Sequence, residues 1–106
     1  MTTLSDIERG YESKYGRDLE ADFKAIMRRN KLLGLWAAEQ MEITGDEAEA
    51  YAREVIESDF EAAGHEDVVQ KVLGDLQGKN VDVTDHIIRR MMDELLVTAK
   101  AQLTAE

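Results

Sequence analysis

Leu4, Ile7, Tyr11, Tyr15, Leu19, Phe23 and Ile26 recur every three or four positions in a chain that contains no proline. That spacing marks one face of an α-helix, and without proline nothing in the segment forces a break. The face continues through Met27, Leu33, Ala37 and Met41, while Leu32, Leu35 and Trp36 fall on the other side of the same helix. Residues 32–38 are therefore apolar nearly all round, the pattern of a helix surrounded by others. Gly34 within this block predicts close approach of a neighbouring helix, and Asn30, turned toward the apolar face, would need a hydrogen-bond partner. Read as one helix over Asp6–Met41, the segment is about 54 Å long at 1.5 Å per residue.

Local signals divide the same segment. Ser5-Asp-Ile-Glu8 is a capping-box pattern that opens a helix near Asp6. Gly10 and Gly16 then weaken it, by roughly 1 kcal/mol each relative to alanine, and a longer helix follows from about Asp18 to Met41. Thr44-Gly-Asp-Glu47 is a second capping box, starting a helix that should end at Gly64, with Ala48, Tyr51, Ala52, Val55, Ile56 and Phe60 inward. A short helix spans about Glu66 to Gln77, closed by Gly78, with its valines and leucines inward. Thr84 caps the last helix, whose inner stripe reads Ile87, Ile88, Met91, Leu95, Ala99 and Leu103. The expected fold is all-α: an antiparallel bundle of four main helices with an additional frayed or mobile N-terminal helix. Helices three to five are too short to cover the whole N-terminal stripe. Either Ile7, Tyr11 and Tyr15 fold back to complete the core, or residues 1–18 project as an amphipathic arm beside a bundle of residues 19–106.

Charge divides the chain at the same place. Residues 1–31 carry seven basic and six acidic side chains, a charge of +1, whereas residues 32–106 carry six and seventeen, a charge of −11, so the whole of the net charge of −10 arises after Lys31. Such a balance disfavours nucleic acid, whose binding rests on cationic contacts with phosphate. The run Glu42–Glu61, with eight carboxylates against Arg53, reads as a solvated helix face. The chain starts without a signal-peptide pattern and has no apolar run long enough to enter a membrane, so the expected location is cytoplasmic. It has no cysteine, and His65 and His86 lack the neighbours of a metal site; both stand at helix starts. Gly74-Asp-Leu-Gln-Gly78-Lys79-Asn80 has the wrong spacing for a phosphate loop and follows a helix rather than a strand. No nucleophile–base set or spaced carboxylate pair is visible, so the chain reads as a non-enzyme. Its most distinctive block is Arg28-Arg-Asn-Lys-Leu-Leu-Gly-Leu-Trp-Ala-Ala-Glu39. Arg28, Arg29 and Lys31 could meet the phosphate of an adenine nucleotide beside Trp36, or they are solvated around a core tryptophan.

With Thr44-Gly-Asp46, Ala50-Tyr-Ala-Arg-Glu-Val55, Asp59-Phe-Glu-Ala-Ala-Gly64, Lys71-Val-Leu73, Met92-Asp-Glu-Leu-Leu96 and Ala99-Lys-Ala-Gln-Leu103, this block resembles the ζ-type inhibitor subunit of alphaproteobacterial F-type ATP synthases over essentially the whole chain. The resemblance implies a helical bundle whose N-terminal segment blocks ATP hydrolysis by wedging between the α and β subunits and the rotating γ subunit of F1. It implies no cofactor, and a location at the inner face of the plasma membrane through F1. Carried onto this sequence, the inhibitory stretch runs from Met1 to about Arg17, with Leu4, Ile7, Arg9, Tyr11, Lys14, Tyr15 and Arg17 as contacts. Gly10 and Gly16 depart from the helix-prone arms expected of relatives and raise the cost of ordering the arm on binding. Two rival functions stand beside this one: a small regulatory bundle that binds an adenine nucleotide, and a protein that docks on F1 without inhibiting it.

Overall fold

A computed structural model describes residues 4–60 and 65–105, with the backbone alone described over residues 4–20. Four helices account for nearly all of it: α1 (Leu4–Gln40), α2 (Gly45–Ser58), α3 (Glu66–Gly78) and α4 (Asp85–Ala105). The two N-terminal helices suggested by caps and glycines are one helix, as the unbroken spacing of the stripe required. Helix α1 packs against all three others, which is why residues 32–38 are apolar on every side.

Each helix end has a local cause. After α1, the Ile43 N–H reaches back to the Ala38 carbonyl (2.8 Å) and the Glu42 N–H to Glu39 (3.1 Å), with Glu42 left-handed at φ 61°. This closure satisfies orphan carbonyls and sends Ile43 back onto the core. Helix α3 ends in the same way, with Val81 bonded to Leu76 and Asn80 to Gln77, and Asn80, at φ 62°, takes the left-handed place expected of Gly78. Helix α4 starts as expected, the Thr84 hydroxyl accepting the Ile87 N–H at 3.3 Å. The second capping box does not form: Thr44 occupies the N-cap in an extended conformation but makes no side-chain cap bond, and Gly45 turns left-handed directly after it.

Two further expectations are corrected. Helix α2 ends at Ser58 rather than at Gly64, which lies outside the described residues. Its last turn tightens, with Asp59 bonded to Ile56 and Phe60 to Glu57 (3.2 and 3.0 Å), and the Ser58 hydroxyl bonds back to the Val55 carbonyl. Phe60 is consequently thrown outward and is 59% exposed, its ring 6.1 Å between centroids from the half-exposed ring of Phe23. In α4 the expected Ile88 and Ala99 are buried and Met91 and Leu95 pack against the core, with Met92 buried beside them, whereas Ile87 is exposed.

Leu33, Ala37 and Ala38 of α1, Val55 of α2, Val68, Val72 and Leu76 of α3 and Ile88 of α4 form the centre of the core. At Gly34, α1 and α2 approach closely. A Cβ built there would stand 2.6 Å from the Ala52 Cα, so only glycine allows this spacing.

Candidate functional site

The 37 residues of α1 make it about 55 Å long, against about 32 Å for α4. Ala21, Asp22 and Ala25 share a surface cleft with Lys100, Leu103 and Thr104, which places the C-terminal end of α4 against residues 21–25 of α1. The excess length of α1, about 24 Å by the same rise per residue, therefore lies at its N-terminal end. The sequence-predicted contacts Leu4, Ile7, Arg9, Tyr11, Lys14, Tyr15 and Arg17 fall on this part of the helix; their side chains lie outside the described residues.

The second group of candidates is split three ways. Lys24, Arg28 and Lys31 line a groove of about 350 Å³ floored by Met27, Ile56 and Leu103. Trp36 is half-buried against the core. Arg29, one residue from its basic neighbours, turns inward and is only 4% exposed, and Asn30 beside it is 1% exposed.

Arg29 and Asn30 belong to a closed ring of four polar side chains. The Arg29 Nε and Nη2 groups both donate to Asn30 Oδ1, at 3.1 and 2.9 Å. Asn30 Nδ2 donates to Asp59 Oδ2 at 3.0 Å. Asp59 Oδ1 lies 3.2 Å from His65 Nδ1, and that same nitrogen lies 3.2 Å from Arg29 Nη2. The ring joins the middle of α1, the residue after α2 and the residue before α3. Burial pulls the Arg29 guanidinium below its ordinary value, while Asp59 and then Asp93 push it back up. It stays charged, and the ring supplies the partners that a buried charge requires. Asn30's need for a partner was legible in the sequence. That Arg29, Asp59 and His65 would meet it was not, because no periodic signal links residues on either side of a turn.

A second polar group lies between α2 and α3. The Tyr51 hydroxyl donates to Asp75 Oδ2 at 2.8 Å, Lys71 reaches the same oxygen at 3.1 Å, and its ammonium sits 5.3 Å over the Tyr51 ring. Burial and then the Asp75 hydrogen bond push the Tyr51 phenol well above its ordinary value. Among the described residues no His, Cys, Asp and Glu cluster could hold a metal ion, and no helix is long and apolar enough to cross a membrane.

The sequence model of the family described as ATPase inhibitor subunit zeta matches residues 1–102. The chain belongs to that family. The ζ family is one of regulatory inhibitor subunits, and its description implies association with an ATPase rather than catalysis by the chain itself. A solution NMR structure of a similar protein, 55% identical, superposes with a TM-score of 0.70 over 78% of this chain and 94% of that one. No protein of curated function matches the chain.

Proposed function

We propose that this ζ-family chain binds the F1 sector of ATP synthase, at the inner face of the membrane, and inhibits ATP hydrolysis through residues 1–18. In this reading the arm inserts between the α and β subunits and γ, while the bundle of residues 19–106 holds it at the surface. The observation that carries the proposal is the excess of about 24 Å at the N-terminal end of α1. An apolar stripe, Leu4, Ile7, Tyr11 and Tyr15, runs along that excess at helical spacing. A helix with one apolar face that runs past the end of α4 is suited to a groove in another protein. Arg9, Lys14 and Arg17 put cations on the same segment.

Such a device needs no catalytic group. A wedge that fits one rotational state of the rotor and not the next stops turnover by its differential affinity for the two states. The direction of rotation then decides whether the wedge is drawn in or pushed out, so hydrolysis and synthesis are affected unequally.

The test is ATP hydrolysis by F1 from the same source, titrated with the full chain and with a chain lacking residues 1–17. Dose-dependent loss of activity with the full chain, absent with the truncated one, is expected. Equal inhibition by both would show that the arm is not the inhibitory element. Stable binding without inhibition would favour a docking role instead.

A further inference from the structure

His65 Nδ1 is placed so that it can satisfy only one of its two neighbours. It is 3.2 Å from Arg29 Nη2, which can only donate, and 3.2 Å from Asp59 Oδ1, which as a carboxylate can only accept. With the proton on Nε2, the bare Nδ1 accepts from Arg29 and presents a lone pair to Asp59. With a proton on Nδ1, it donates to Asp59 and turns an N–H toward the guanidinium. We propose that His65 is a proton-operated selector within the ring: neutral, it bonds to Arg29 and ties the start of α3 to α1; protonated, it releases Arg29 and pairs with Asp59.

The other bonds of the ring make the choice consequential. Asp59 is already held by Asn30, and Asn30 by two N–H groups of Arg29. A His65 cation therefore gains a carboxylate that is fixed in place, and it meets a guanidinium that is fixed as well. Arg29 is only 4% exposed and cannot swing into solvent without leaving Asn30, so the repulsion must be relieved at the histidine. The His65 side chain is 45% exposed, and a proton from solvent reaches it directly.

Among the described residues, charged groups on α1, on α4 and at the ends of α2 and α3 bear on the balance. Arg29 faces His65 from α1 and Asp59 from the end of α2. Arg89 and Asp93 of α4 line the same cleft of about 280 Å³. Glu66, the first residue of α3, is engaged by Arg89 at 2.6 Å, which neutralises that pair as seen from the ring. Among the described residues, Asp59 and Arg29 are the charged groups that contact Nδ1.

Side-chain ¹⁵N–¹H spectra of the full chain, followed over about pH 5 to 8, test the selector. At the upper end the neutral ring should carry its proton on Nε2 with Nδ1 bare. On acidification Nδ1 should gain a proton, and the Arg29 Nε–H and Asn30 amide signals should shift in step with the His65 titration. In His65→Gln, a change at an exposed position, those coupled shifts should vanish; in His86→Gln they should persist. If His65 titrates while the Arg29 and Asn30 signals stay fixed, or if the shifts survive in His65→Gln, the selector is overturned. No ATPase takes part in the measurement, so either answer is independent of the inhibition reading.

Discussion

Helix α1 meets α2 at two seams one turn apart, and the two are built in opposite ways. At Gly34 the backbones touch: a missing side chain lets the Ala52 Cα come within 2.6 Å of where a Cβ would stand, with Val55 packed alongside. At Asn30 the helices are joined through side chains, by an amide that accepts from a buried guanidinium and donates to the carboxylate of Asp59. The first seam is held by dispersion and exclusion of water, which fall off steeply with separation. The second is held by charge-assisted hydrogen bonds, individually strong but costly when a partner is lost. The apolar seam should therefore fail when atoms are added, and the polar one when atoms are removed.

Gly34→Val tests the first half of that statement and should have the largest effect. Alanine alone would gain about 1 kcal/mol of helix propensity over glycine, but its Cβ already collides with backbone, which cannot rotate away. Valine adds two methyl groups to the collision. A loss on the order of 3 kcal/mol is expected, read as a lower urea midpoint with little change in slope. Stability equal to the parent chain would mean that α2 slides freely along α1, and the contrast between the seams would disappear.

Asn30→Ala tests the second half. It strips two acceptor contacts from Arg29 and the donor from Asp59, leaving the buried cation, among the described side chains, with His65 as its hydrogen-bond partner. The cost should be about 2 kcal/mol, in the range for an orphaned buried polar group. Asp59 is half-buried and retains access to water, so most of the loss arises at Arg29. A cost below about 0.5 kcal/mol, the lower end of the value of an ordinary hydrogen bond, would show that water replaces the amide and that the ring is not a seam at all.

The two seams were unequally legible in the sequence, for reasons that particular residues make clear. A glycine inside a segment that is apolar all round admits few explanations, and close approach is the main one. Asn30 was legible as a buried amide because its position on the helix follows from the stripe. Arg29 was not, since three cations in four residues read as one solvated face, and only the rotation of the helix separates Arg29 from Arg28 and Lys31. Turn chemistry was the weaker part. Thr44 and Thr84 head similar motifs, yet only Thr84 makes its cap bond, because Gly45 takes a left-handed turn that Asp85 does not. Phe60 was assigned to the core by extending the period of α2 two residues past the point where the helix tightens and stops. Periodicity places residues within a helix and says nothing about where the helix ends.

Tyr51→Phe refines the comparison by making a polar deletion where water can help. Tyr51 is buried beside Ala52 on the apolar seam, and its hydroxyl donates to Asp75 at the bundle edge. Asp75 keeps Lys71 as a partner, its side chain is 40% exposed, and the cation over the ring remains with phenylalanine. The loss near neutral pH should be about 1 kcal/mol or less, clearly smaller than for Asn30→Ala. The pH dependence has a definite sign. The phenol is raised in the folded state, so the folded chain keeps this proton while the unfolded chain releases it near its ordinary value of about 10. The site's contribution is therefore complete below about pH 10 and declines above it. Phenylalanine has no proton to lose, so the stability gap should narrow as pH rises past that value, read from urea midpoints of the two chains in parallel. A gap that stays constant would mean that the hydroxyl is as well solvated in the folded state as in the unfolded one. A deficit as large as that of Asn30→Ala would show that access to water does not separate the two kinds of polar contact.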